Sequence, residues 1–323
     1  MKKICNLIAN KEYLKEWCNA DKIEKFCVDC DVDGYEIICA GDFAEEIPEN
    51  RVIGVHLPFF NSWMDLYNKN YAALDMEYGN RKVWQQFYGG DNFDCIYNML
   101  EQQMDFAQKL NAKYVVLHVC EIGTTETLTG RHKYSHKEII LAVCNIVNKL
   151  TRGKNYSFYI LLENLWWQGF TFTDVKMTEF MLNNIDYKNK GIMLDIGHLM
   201  NTNKDISNWD EAADYIIKNV NNHKNVIDFV KGVHLHGTLE GNFAKEFYKN
   251  KVHIEQDYYK RFKQSYDYVL RVDAHKPFAS NRVKEIIDAI NPEFMVYEFA
   301  ADDMEKKLEM NLLQNSYFTD KKI

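Results

Sequence analysis

Gly191-Ile192-Met193-Leu194-Asp195-Ile196-Gly197-His198-Leu199-Met200-Asn201 is the stretch from which the fold is read. Three apolar residues, Ile192 to Leu194, run into a carboxylate at Asp195. An imidazole follows three positions later, His198, beside Gly197. A short apolar run between turn residues suits a strand buried on both faces. Asp195 at its end, and His198 past a glycine turn, suit metal ligands leaving that strand. Alone, Asp-x-x-His is more often a hydrogen-bonded loop. Here the arrangement recurs along the chain.

Working outward, strands are expected over residues 3–9, 35–39, 52–56, 113–118, 158–163, the opening stretch, 230–236 and 294–298. Gly41-Asp42 marks a turn after the second strand. Helices are expected over residues 12–25, 94–110 and 136–150. Further helices should follow caps at Thr173-Asp174, Ser207 and Ser280, and a last one should start near Asp302. Eight strands alternating with helices is the pattern of a (β/α)8 barrel. A doubly wound sheet ranks lower, because ionisable residues end six of the strands. A barrel gathers those ends at one mouth, whereas an open sheet spreads them along an edge. Two connections are long, residues 59–90 after strand three and 237–278 after strand seven. The first is aromatic and directly follows His56, so it is expected to cover the mouth as a lid.

The chain has 323 residues, 46% of them hydrophobic, and four prolines. One barrel domain over residues 1–323 fits this length, with no linker or repeat. No apolar run reaches the ~18 residues of a membrane span, and the basic N-terminus is too short in apolar residues for a signal peptide. Eight cysteines with one close pair, Cys27 and Cys30, read as buried thiols of a cytoplasmic protein. The net charge of −8 argues against a strong polyanion binder.

The residues at the strand ends are His56, His118, Glu163, Asp195 with His198, His234 with His236, and Glu298; Asp273 and His275 lie in the second excursion. Imidazole and carboxylate are the ligand types of zinc, manganese and iron. Each residue has a bland reading, His118 as a satisfied core histidine and Glu298 as a solvated strand end. Together, the bland readings require one accident at six consecutive strands. His234 and His236 are two apart and share a face. One would ligate, and the other would bind substrate or support a ligand.

Residues 163–169 (ENLWWQG) are similar to the Glu-Asn-x-x-x-Gln-Gly of endonuclease IV. Asp195 to His198 resembles its Asp-x-x-His, Lys231 to Leu235 its Lys-Gly-x-His-Leu, and Asp273 to His275 its Asp-x-His. The chain thus resembles the xylose-isomerase-like barrel superfamily, which holds endonuclease IV (AP endonuclease family 2) and many sugar isomerases and epimerases. The resemblance covers strands three to eight. It implies up to three divalent ions, zinc, manganese, iron or magnesium. His56, His118 and Glu163 would hold one. Glu163, Asp195, His234 and Glu298 would hold a second, and His198, Asp273 and His275 a third. The sequence departs from endonuclease IV in the longer connection between His234 and Asp273, in His236 where asparagine is expected, and in lacking equivalents of the DNA-intercalating residues. The four-ligand core is the firmer inference.

Three functions follow. The first is isomerisation or epimerisation of a sugar or sugar phosphate through a metal-stabilised enediolate, with Glu163 and Glu298 exchanging the proton. His198 or His236 would bind a hydroxyl, and Trp63 and Trp166 would stack on the sugar. The second is endonuclease IV-like phosphoester hydrolysis at clustered metals. The third is ligand binding without turnover. The first leads narrowly, since the four-ligand core suffices for it and no DNA-reading feature is visible. A small carbohydrate is the expected partner rather than nucleic acid or membrane, and a homo-oligomer is compatible with the sequence.

Overall fold

In the computed structural model, which describes residues 1–11, 14, 20–38, 47–250, 252–301 and 303–319, eight parallel strands close into a barrel in chain order. They are β1 (Lys2–Ile8), β2 (Gly34–Ile38), β3 (Val52–His56), β4 (Tyr114–His118), β5 (Tyr159–Glu163), β6 (Lys190–Asp195), β7 (Val230–Leu235) and β8 (Phe294–Tyr297). β8 pairs with β1 and completes the (β/α)8 barrel. Cys39, the Gly41-Asp42 turn, Asp302 and much of the expected helix over 12–25 lie outside the described residues; the described helix there is Ala20–Cys30.

Strand side chains alternate between two environments. One set faces the surrounding helices. The other fills the barrel, and its floor is apolar: Ile4, Tyr114, Val116, Leu161, Met193 and Phe294 are buried together. The floor packs because small residues face large ones. A Cβ on Gly54 would lie 2.2 Å from the Tyr114 ring. Polar groups take over towards the strand C-termini, where register sets His118 beside Glu163 and Asp195 beside His234.

The opening stretch differs from its reading in one respect. No turn follows Asp195. Its side chain accepts a hydrogen bond from the His198 amide and caps a helix, Ile196–Asn201. Gly197 is needed for close approach, since a Cβ there would lie 2.2 Å from the His236 ring. Asp174 caps Val175–Asn183 as expected. Asn208, not Ser207, caps Trp209–Asn222, while Ser207 bonds Glu211. Ser280 accepts from the Arg282 amide one turn ahead of Val283–Ile290. The second excursion holds two helices, Gly241–Lys249 and Tyr258–Val272.

The first excursion is folded rather than loop-like. It folds into helices Met64–Tyr67, Tyr71–Tyr78 and Arg81–Tyr88. Trp84 is fully buried, stacked on Tyr71 at 5.7 Å, and its indole N–H donates to Asp75. The Tyr78 and Tyr88 hydroxyls meet at 2.8 Å, and Tyr78 packs on Tyr258 of the second excursion. Glu121 anchors the start by accepting from the amides of Trp63 and Met64. Burial raises its carboxyl to about 8 against those two bonds. This unit has a core, so Trp84→Ala should cost about 3–5 kcal/mol, read as a lower midpoint in urea unfolding. A loss below ~1 kcal/mol would show that the cluster contributes little.

The described cysteines form no disulfide, and Cys27 and Cys30 are buried free thiols. Among the described residues, no helix is long and apolar enough to cross a membrane.

Candidate metal centre

Six imidazoles and five carboxylates meet above the apolar floor. Glu163 sits at the centre with no exposed surface. Its Oε2 faces the Nε2 atoms of His56 (3.2 Å) and His118 (3.3 Å). Its Oε1 faces Nδ1 of His198 (3.2 Å) and of His234 (3.4 Å). His234 Nδ1 also faces Glu298 Oε2 at 3.1 Å and Asp195 Oδ2 at 3.7 Å. Further out, Asp273 Oδ2 faces Nε2 of His198 (3.3 Å) and of His275 (2.9 Å). His236 Nε2 lies 2.8 Å from Asp195 Oδ2, and its ring stacks on His275 at 4.0 Å.

The backbone fixes how these rings point. A carbonyl can only accept, so the nitrogen against it must be N–H. His56 Nδ1–H donates to Leu57 O (3.0 Å), His198 Nδ1–H to Asn164 O (2.9 Å), and His275 Nδ1–H to Glu298 O (2.9 Å). A neutral ring held this way would turn a bare Nε2 towards a carboxylate. Lone pair would face lone pair, unless a proton or a cation lies between them. Holding one imidazole nitrogen by a hydrogen bond while the other stays free is how proteins prepare metal-ligating histidines.

Unsatisfied atoms carry the same message. Glu163 Oε1, His234 Nδ1 and Glu298 Oε2 lack hydrogen-bond partners although buried, and so do Asp273 Oδ1 and His118 Nδ1. The first three converge on one point. Buried polar atoms without partners are costly, and a divalent cation would satisfy them together. The ligand atoms form three groups, and within each group they lie within 4.8 Å of one another: His56, His118 and Glu163; Glu163, Asp195, His234 and Glu298; and His198, His236, Asp273 and His275. The donor set fits divalent metals of the zinc, manganese or iron type.

Charge in the centre is balanced by proximity. Burial alone would raise the Glu163 carboxyl, but the surrounding imidazoles, His118 and His234 foremost, hold it well below the usual carboxylate range. Burial opposes ionisation of Asp195 and Asp273 as well, yet neighbouring histidines keep both low. Burial also opposes charge on His198 and His234. Asp195 and Asp273 lift the first well above the usual histidine value, and Glu298 and Glu36 lift the second. His275 rises to about 10, since Asp273 outweighs its burial. Burial draws His118 downward.

The nine ligand candidates named from the sequence thus lie together, and His236 joins His198, Asp273 and His275. The tryptophans are placed otherwise. Trp63 is buried, its indole donates to Cys120 O, and it packs on Tyr67 and Phe93. Trp166 leans on His198 at 5.0 Å but lines a separate small cavity with Met200 and Val272. The mouth opens into a cavity of about 590 Å³ lined by His56, His118, His198, Asp273, His275 and Glu298. Phe59 is the aromatic residue of the first excursion on that wall, stacked on His118 at 4.0 Å. Glu163, Asp195 and His234 lie beneath the wall and do not line it.

Three residues of the site had no role assigned from the sequence. Asn164 clamps the Asp195 backbone with two hydrogen bonds of 2.9 Å. Lys307 lines the cavity from the last helix, Met304–Ser316. Glu36, buried in β2, accepts from His234 Nε2 at 3.1 Å and so aims Nδ1 at the carboxylates. A carboxylate inside the short apolar strand GYEII was the available signal, since such a residue is rarely buried without a partner. Glu36→Gln should weaken metal affinity 10- to 100-fold, read by competition with a chelator. Wild-type affinity would remove Glu36 from this role.

Comparison with known proteins agrees with the architecture. Residues 96–256 match the family model of the xylose isomerase-like TIM barrel. No curated protein matches the chain in sequence. Among solved structures it is similar to a D-tagatose 3-epimerase-like protein, with TM-score 0.55 and 18% identity over 98% of this chain and 97% of that one. It is also similar to endonuclease IV from Thermus thermophilus, with TM-score 0.53 and 11% identity over 98% of both chains. A third is the IOLI protein with a binding zinc atom, with TM-score 0.52 and 14% identity over 99% of this chain and 100% of that one. At such identities the likeness shows the fold.

Proposed function

Since the chain belongs to the xylose isomerase-like TIM barrels, we propose that its mouth is a multinuclear metal site hydrolysing a phosphoester. The observation behind this reading is the position of Glu163. A base that moves a substrate proton must reach the substrate. Glu163 has no exposed surface, and its two oxygens are enclosed by His56, His118, His198 and His234. It suits a bridge between ligand groups better than a proton shuttle. Divalent ions held by the three groups would supply positive charge against the attacking and leaving oxygens of the ester.

The protein's own groups have definite tasks. Asn164 and the cap to His198 fix Asp195. Glu36 fixes His234. Glu298, 7% exposed and on the cavity wall, is kept ionised against its burial chiefly by His234, and can take a proton from an attacking water. Phe59 covers one face of His118 and limits water there.

Isomerisation or epimerisation is the second reading. The cavity favours it, because about 590 Å³ suits a small molecule, with Glu298 as the acid–base group. Two measurements separate the readings: metal content of the metal-replete protein, and solvent deuterium exchange into a panel of sugars and sugar phosphates. Two or three ions per chain, with chelator-sensitive cleavage of nitrophenyl phosphoesters and no exchange, is the expected result. One ion per chain with deuterium exchange would establish the second reading instead.

A further inference from the structure

The cavity wall carries one group that the proposed chemistry leaves unused. Lys307 is 6% exposed, and its ammonium donates to Asn6 Oδ1 at 2.6 Å and to Phe299 O at 3.3 Å. Both acceptors are neutral. Among the described residues, no carboxylate pairs with it. Glu298 attracts it only through space, and a buried ammonium hydrogen-bonded only to neutral oxygens is expensive, since lysine is almost never fully buried without a counter-ion. An ammonium has three N–H donors, so two bonds leave one free. Burial already draws its pKa below the usual lysine value.

A simple tether from the last helix to β1 and the segment after β8 would not need a charge; a glutamine could donate to the same two oxygens. What the charge adds is attraction for an anion, and the side chain lines the cavity that also holds Glu298, Asp273 and His275. Leu7, Ile38 and Phe299 make the adjoining wall apolar, which strengthens any ion contact made there.

We propose that Lys307 forms an oxyanion subsite beside the candidate metal centre, taking a carboxylate or phosphate of the substrate that is not the group undergoing reaction. The inference rests on the reading of this cavity as the substrate site. It narrows the substrate to a small anionic compound, with one charged end on Lys307.

The test uses metal-loaded full chain and calorimetric titration with D-glucose, D-gluconate, D-glucose 6-phosphate and inorganic phosphate. The anionic sugars should bind at least tenfold tighter than glucose. Lys307→Gln should erase that preference while metal content stays at the wild-type level, and Lys307→Arg should keep it. Asn6→Asp, which sets a carboxylate against the ammonium, should also erase it, and it covers the case in which Lys307→Gln does not fold. Gluconate against glucose 6-phosphate tells which oxyanion the subsite prefers. A preference that survives Lys307→Gln, as when metals alone hold the anion, overturns the proposal. So does a wild type without preference. A Lys307-dependent preference in a protein that cleaves no phosphoester would support the subsite and refute the hydrolase reading.

Discussion

Replacing Glu163 with glutamine should remove at least one metal ion per chain and lower turnover at least ~10²-fold. Groups that only orient ligands typically cost 10- to 100-fold in affinity or activity when removed. Glu163 does more than orient. Its Oε2 serves His56 and His118 while its Oε1 serves His198 and His234. It belongs to two of the three ligand groups. Glutamine keeps one oxygen but turns an NH2 to the other pair, and an amide nitrogen neither ligates nor compensates positive charge. Metal analysis by mass spectrometry, with circular dichroism to show an intact barrel, reads the loss. A variant with wild-type metal content and turnover would mean that the carboxylate does not bridge.

The second large effect is in pH. Metals bind neutral imidazole, yet without metal His198, His234 and His275 all titrate above the usual histidine value, His275 at about 10. At neutral pH these rings hold protons that a metal must displace. Binding should therefore release protons, and apparent affinity should rise with pH. Stability of the metal-free protein runs the opposite way. A histidine with a raised folded pKa contributes stability in full below its unfolded value, and that contribution is lost as pH climbs through the folded value. For His275 this window runs from 6.5 to about 10. The rise in melting temperature on adding manganese should thus be larger at about pH 8.5 than at about pH 6.5, because ligand-free stability falls while binding tightens. Calorimetry in buffers of different ionisation enthalpy counts the protons. A gain that shrinks with pH, or binding without proton release, would show that these rings are neutral in the metal-free protein.

Much of the architecture was present in the order of residues. β3 runs from Val52 to His56 as expected, because these residues alternate between the two faces of a wall buried on both sides and Leu57-Pro58 stops the strand. The same logic placed His118, Glu163 and Asp195 at strand ends, and parallel closure brings such ends to one mouth. Spacing also put His234 and His236 on one face, and both are fully buried there.

Tertiary structure decided the rest. Glu36 could not be paired with His234 from sequence, since 198 positions separate them and only closure of the barrel makes them neighbours. The aromatic segment after His56 was expected to cover the mouth, but what its aromatic side chains would pack against could not be read from the sequence. Aromatic content favours burial without saying against what, and Trp84 found Tyr71 and Asp75 within its own segment. Lys307 carries no signal in the sequence, and only the folded chain sets it against Asn6 and Phe299. Local sequence determines which groups stand at a strand's end because alternation and turn chemistry act over a few residues. Which groups share a cavity, and so which must share charge, depends on contacts between segments far apart in the chain, and those exist only once the barrel has closed.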